Sequence, residues 1–245
     1  MKNYKLTLRY DGSAYKGWQR QGNTDNTIEA RVEDALTGIL GEAIEVSASG
    51  RTDAGVHAMG QVVSFRSGGE MKAEELLSRL RKALPGDIGA VSLEEAPPRF
   101  HARLSARGKT YVYRVWNSPE PCIFERKYVY IVSAPLDIGA MRRAAYSLCG
   151  DHDFLAFCSA KSMKHSSVRT LRSVEIHREG NEIIFTYNGD GFLYNMVRII
   201  TGTLLEVGLG KRDAGAMGEI LASRRRENAG ETAPAKGLFL WEVEY

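Results

Sequence analysis

The residues best placed to do chemistry lie in Ser49-Gly50-Arg51-Thr52-Asp53-Ala54-Gly55-Val56-His57-Ala58. A carboxylate on a glycine-flanked connection between two apolar segments is held at a mouth, where an ionised, partly buried Asp can act as a nucleophile. Arg51 and Asp53 stand two apart, so on an extended backbone they would share a face and the guanidinium would hold the carboxylate ionised. The competing reading is a turn cap made by Asp53 through its own backbone. His57 could be a third member of the site, although a lone His near a strand start is more often a structural hydrogen-bonding residue.

The elements that must position this loop are legible in the periodicity. Tyr4 to Tyr10 alternates as a half-buried strand, and a loop from Asp11 to Asp25 carries Gly12, Gly17, Trp18, Gln19 and Gln21. Asn26 with Glu29 has the form of a capping box, and Ile28, Val32, Leu36, Ile39 and Leu40 recur at helical spacing until Gly41. Strands are expected at 43–49 and 60–66, a helix over 73–84 ended by Pro85-Gly86, and a strand from Ile88 to Leu93. The order βαββαβ is then echoed, with a strand at 109–116, a helix at 137–148, strands at 173–177 and 182–187 joined through Glu179-Gly180-Asn181, helices at 192–207 and 214–222, and a closing strand at 238–244.

The fold class expected is α+β. Two ferredoxin-like (RRM-like) halves, 1–105 and 106–245, would join their antiparallel sheets into one central sheet, with helices on one face and a cleft at the junction. Pro97-Pro98 and the residues just after them would be the linker. A sheet face left bare by helices suits RNA, and Lys109, Tyr111 and Tyr113 share one face of their strand as a possible base-binding strip. Both tyrosines could equally be core-edge residues.

Composition narrows the class. In 245 residues, 43% are hydrophobic and 26% charged, which suits a soluble globular chain of two modest domains. No run approaches the roughly 18 apolar residues of a membrane span and the start reads as a strand, so a cytoplasmic location is expected. Cys122, Cys149 and Cys158 contain no CxxC pair and signal neither a disulfide framework nor zinc. The net charge of +3 is unevenly spread: 99–116 holds Arg99, Arg103, Arg107, Lys109 and Arg114 with no acid, 155–172 holds Lys161, Lys164, Arg169 and Arg172, and Arg224-Arg225-Arg226 is a third cluster. Such stretches fit a polyphosphate partner better than a membrane, or else are solvated faces.

The loop Arg51-Thr52-Asp53-Ala54-Gly55-Val56-His57-Ala58 with Gln61-Val62 resembles the catalytic motif of the tRNA pseudouridine synthase A family. Tyr10-Asp11-Gly12, Gly17 to Gln21, Lys109 to Tyr113, Asp151 to Phe157, Gly191 to Arg198 and Ala233 to Leu238 resemble further blocks of that family in the same order. The family pattern has Val-Gln where this chain has Ile28-Glu29, a departure expected to touch packing rather than chemistry.

This resemblance implies conversion of uridine to pseudouridine in the tRNA anticodon stem-loop, at positions 38, 39 and 40. Cleavage at N1 and re-formation at C5 moves no net electrons, so no cofactor and no metal is implied. It also implies Asp53 as the catalytic carboxylate, acting at C1′, C2′ or uracil C6, and Tyr111 stacking on the uracil or taking the C5 proton. Arg198 would be paired with Asp53, Arg51 would enter the stack as the base flips out, and Lys109 and Leu238 would line the RNA and uracil surface. A homodimer in which each tRNA touches both subunits is implied too. For His152 and Asp153 a helix-end structural motif outweighs acid/base work, and Phe154 and Phe157, three apart, read as core.

Other classes remain open on the residues alone. A non-catalytic RNA-binding module would use the same sheets and cations with Asp53 as a cap. An Asp-based hydrolase would want a second carboxylate or a magnesium cluster. A pseudouridine synthase acting at a different RNA site would share the Asp and differ in its binding surface.

Overall fold

The computed structural model describes residues 1–22, 24–159 and 166–245; Lys161 and Lys164 of the second basic stretch lie outside the described residues. The fold is mixed α+β, and the chain divides into two compact units, Met1–Arg107 with Phe239–Tyr245, and Gly108–Leu238.

The first unit contains β1 (Lys2–Tyr10), α1 (Ile28–Leu40), β2 (Ser47–Ala48), β3 (His57–Ser67), α2 (Ala73–Ala83) and β4 (Ile88–Ala96). The second contains β5 (Gly108–Trp116), β6 (Tyr130–Ile131), α3 (Ile138–Tyr146), β7 (Gly150–Asp153), β8 (Val168–Glu179), β9 (Glu182–Gly189), α4 (Met196–Gly208) and α5 (Ala216–Ser223). β10 (Leu238–Glu244) comes last, and from Phe239 onward it belongs to the first unit.

In the first unit β1 lies between β3 and β4, antiparallel to both. The alternation of β1 puts Tyr4, Leu6, Leu8 and Tyr10 in the core, and Tyr4 stacks on its cross-strand partner Phe65 at 5.1 Å. The other edge of β3 takes β2 at Val63 and Ser64, and β10 in parallel at His57 and Ala58. The expected strand over 43–49 is only two residues long. The Ile44 and Val46 amides donate to Thr37 Oγ1 and Glu33 Oε1 of α1, so they are taken from any ladder.

α1 departs from the expected capping box. Its N-cap is Thr27, whose Oγ1 accepts from the Ala30 amide at 3.3 Å, while Asn26 donates to Ala14 O. Glu29 points away from the cap, toward the chain at Trp18 to Arg20.

In the second unit β5, β9, β8 and β7 form an antiparallel run, with β6 parallel to β5. β7 is the Asp151-His152-Asp153 segment that the sequence reads as a helix end; it pairs with the front of β8, which therefore begins at Val168 instead of 173. α4 begins four residues later than expected, because Asn195 takes a left-handed conformation (φ 60°) and separates the apolar run Phe192-Leu193 from the helix. Of the 13 residues of α4 only Arg198 and Glu206 escape full burial, so this is a core helix with two polar exits.

Gly202 of α4 packs so closely on the chain passing it that a Cβ there would lie 1.9 Å from Glu231 O. In an open helix Gly→Ala adds about 1 kcal/mol of stability. Here the clash is with backbone, and overpacking of this kind costs about 1–3 kcal/mol. Gly202→Ala is therefore expected to lower the denaturant midpoint, the reverse of the helix-propensity effect.

Candidate functional site

Residues 49–56 belong to no strand, so the same-face argument for Arg51 and Asp53 lacks its extended backbone. Side chains fix the loop instead. Gln61 of β3 is completely buried; its Nε2 donates to Gly50 O (2.8 Å) and to the Tyr10 hydroxyl (3.4 Å), and its Oε1 accepts from Ser49 Oγ (2.8 Å). The Tyr10 hydroxyl also shares a hydrogen bond with Thr52 Oγ1 at 2.8 Å. Burial pushes the Tyr10 phenol up to about 12, against the opposing pull of Thr52 and Gln61, so it remains a donor throughout the neutral range.

The opposite side of the loop is held by the strap 17–20. Trp18 N donates to Thr52 O (2.9 Å), and Gly17, at φ 93°, brings its backbone so close that a Cβ would sit 2.9 Å from Thr52 O. The strap is gripped in turn by Glu29, whose carboxylate accepts from Trp18 Nε1 (3.2 Å), Gln19 Nε2 (2.5 Å) and Arg20 N (2.7 Å). Glu29 is thus the residue that sequence reasoning undervalued. Its place in the first helical turn suggests capping, and only the folded strap reveals three donors converging on it.

A backbone bond from Val56 N to Asp53 O (3.1 Å) closes the turn. On it Asp53 is half-buried and Arg51 exposed. His57 is 1% exposed, accepts at Nδ1 from Gly12 N (3.1 Å), has the same nitrogen 3.1 Å from Asp11 Oδ1 and stacks on Phe239 at 4.7 Å.

Tyr111, Lys109, Arg198 and Leu238 all lie in the second unit. Tyr111, 8% exposed, stands edge-on to Phe192 with ring centres 4.9 Å apart, and Lys109 is half-buried on the same strand. Tyr113 leaves the expected strip: it is fully buried and donates to Pro234 O at 2.7 Å. Burial drives its phenol well above the usual tyrosine value, and the nearby Arg198 pulls the other way. Arg198 is braced by Nε donating to Ala233 O (2.7 Å), Nη1 donating to Asn195 Oδ1 (2.9 Å), and Ala233 N donating to its carbonyl (3.1 Å). Leu238, at the head of β10, is buried.

The residues around His152 and Asp153 make local contacts. His152 Nε2 contacts Cys149 O at 3.0 Å, and Phe154 and Phe157 are core. Asp153 accepts from Ser167 Oγ (2.6 Å) and the Leu155 amide (3.1 Å), and pairs with Arg224 at 2.6 Å. Arg224, the first residue of the third basic cluster, keeps its side chain 61% exposed in that pair. Among the described residues no group of three His, Cys, Asp or Glu side chains is arranged to hold a metal, and no helix is long and apolar enough to cross a membrane.

The class of protein to which this chain belongs is shown by comparison. A family model described as tRNA pseudouridine synthase matches residues 7–104 and 144–245, and the chain belongs to that family. It is 44% identical over 245 residues to a tRNA pseudouridine synthase A 2 of Bacillus cereus, with all of both chains covered. It is 48% identical to the tRNA pseudouridine synthase A of Halalkalibacterium halodurans, over 97% of this chain and 90% of that one, and 45% identical to that of Acetivibrio thermocellus over the whole of both. Asp53, Arg198 and Leu238 fall inside the matched spans, whereas Lys109 and Tyr111 fall between them.

Two outcomes are expected from this geometry. Glu29→Ala strands the buried Trp18 N–H and two further donors, and should cost about 1–3 kcal/mol in denaturant titration. Glu29→Gln keeps one acceptor oxygen and should cost less than the alanine variant. Burial pushes the Asp153 carboxyl up, but Ser167, Leu155 and Arg224 together hold it below its ordinary value. Its contribution is therefore present at neutral pH and lost as pH falls through the lowered folded value. The stability gap between wild type and Asp153→Asn should close on acidification, measured as unfolding midpoints across a pH series.

Proposed function

We propose that the protein converts uridine to pseudouridine in the tRNA anticodon stem-loop, at positions 38, 39 and 40, with Asp53 as the catalytic carboxylate. The observation that carries this reading is the clamping of the Asp53 loop from two sides, by Gln61 and by the Glu29-gripped strap, which leaves the aspartate half-buried on a fixed backbone.

In the reaction the N1–C1′ bond breaks, the uracil turns, C5 bonds to C1′, and the C5 proton moves to N1; atoms and electrons balance with no external donor. Asp53 acts at C1′, C2′ or uracil C6. Tyr111 stacks on the uracil and takes the C5 proton, and its edge-on contact with Phe192 fixes the plane of its ring. Arg198 supplies the cation that keeps Asp53 ionised, a role that its bracing at Ala233 and Asn195 prepares. Arg51 is exposed and enters the stack vacated by the extruded base, while Lys109 and Leu238 line the nucleotide. The enzyme acts in the cytoplasm as a homodimer, each tRNA touching both subunits.

Incubation of the purified protein with an unmodified tRNA transcript should yield pseudouridine at those positions. Asp53→Asn should lower the rate by at least about a thousandfold, in the range of a lost acid/base group. A folded wild type that binds tRNA without forming product would leave the non-catalytic module. Affinity should fall with salt at a log-log slope of about −0.7 to −0.9 per phosphate neutralised, and a flat response would sink the basic-surface argument. Light scattering at micromolar concentration should give about 54 kDa, twice the 27.1 kDa chain; a clean monomer would defeat the dimer.

A further inference from the structure

The segment 118–129 connects β5 to β6 and lies in the stretch that the family model leaves unmatched. Its tip is unusual. Phe124 is 89% exposed and the adjoining Ile123 is 57% exposed, so both forgo the burial that apolar side chains ordinarily gain on folding. Large apolar side chains held in water side by side mark a surface that meets something.

The loop is nevertheless well built. Cys122 and Val129 bury its two ends, Tyr128 N donates to Glu125 O (2.7 Å) across a 3₁₀ turn, Trp116 Nε1 donates to Glu120 O (2.9 Å), and Arg126 folds back on Ile123 O. Phe124 is therefore presented on a preorganised turn, so docking on it orders little chain.

Charge identifies the partner. Arg126 and Lys127 follow the ring in the sequence, and Lys236 reaches the turn by donating to Arg126 O at 3.1 Å. Against these three cations the tip itself carries one acid, Glu125, which contacts Arg114 at 3.2 Å, an arginine shared with Glu182. Protein interfaces are depleted in lysine, whereas single-stranded nucleic acid is bound by an aromatic platform beside cations. Lys236 stands two residues before Leu238, so the tip joins the segment proposed to line the uracil.

The geometry points to Phe124, with Arg126 and Lys127 just after it in the chain, as a stacking platform for an unpaired nucleotide of the tRNA substrate. This inference rests on tRNA being the substrate, as proposed from the Asp53 loop. It is tested by anisotropy binding of a labelled, unmodified tRNA transcript to the full chain and its Phe124 variants. Phe124→Ala should weaken binding about 5- to 150-fold, the range for one lost base–aromatic stack. Phe124→Trp should bind within about threefold of wild type, because any aromatic face can stack, whereas Phe124→Leu should bind as weakly as alanine. Lys127→Ala should lower the magnitude of the salt slope by about 0.7–0.9.

Binding by the leucine variant at wild-type strength would overturn the proposal in favour of plain apolar contact. Unchanged binding by the alanine variant would overturn it outright. A fall in sedimentation mass on Phe124→Ala would assign the tip to a second copy of the chain instead. A wild type that binds no tRNA would remove the underlying reading before any variant is compared, and the platform with it.

Discussion

One buried carboxamide governs the arrangement of the first unit. The loop carrying Asp53 has no strand pairing of its own, so its shape depends on Gln61, whose two donors and acceptor are taken by Gly50, Tyr10 and Ser49. Because the group is completely buried, each missing partner would leave a desolvated polar atom, at about 1–3 kcal/mol. Such a hub tolerates few geometries. It ties the end of β1, the body of β3 and the loop into one arrangement, to which the Trp18 strap is added through Thr52.

The second unit solves a similar problem with a helix. α4 is apolar on nearly every side, and its two polar exits each fasten chain that comes later in the sequence. Glu206 binds Arg212 at 2.8 Å and the Glu231 amide at 3.1 Å, while Arg198 binds Ala233. The same segment 230–233 is pressed against Gly202 and joined to Thr203 through the Gly230 amide. Arg198 is thus bonded to Ala233 through both its guanidinium and its backbone carbonyl.

How far the sequence speaks depends on whether a signal is local. Alternation marks β1, β5 and β9, and the 3.6-residue spacing marks α1 and α2, because each pattern reports one buried face. Periodicity fails where side chains capture backbone groups, as Glu33 and Thr37 capture Val46 and Ile44, and where one left-handed residue, Asn195, interrupts an apolar run. β7 is short and polar, and its strand character comes only from pairing with β8. At the site, the types and spacing around Asp53 are visible in the chain, but the three donors on Glu29 come from a loop that folds back, and the burial that makes Tyr113 a core residue depends on Pro234 and Gly237 arriving from far along the chain.

The parallel pairing of β10 with β3 has a consequence for how the protein is made. Phe239 lies opposite His57, directly after the Asp53 loop, yet it is synthesised only after the whole of Gly108–Leu238. A ribosome-bound chain can form β1, α1 and most of β3 early, but the strand beside His57 must wait for closure of a very long loop, the kind of non-local contact that slows folding. Nascent and prematurely terminated chains thus lack the stack of His57 on Phe239 at 4.7 Å, and the strand that follows the aspartate loop acquires its parallel neighbour only once β10 has been made.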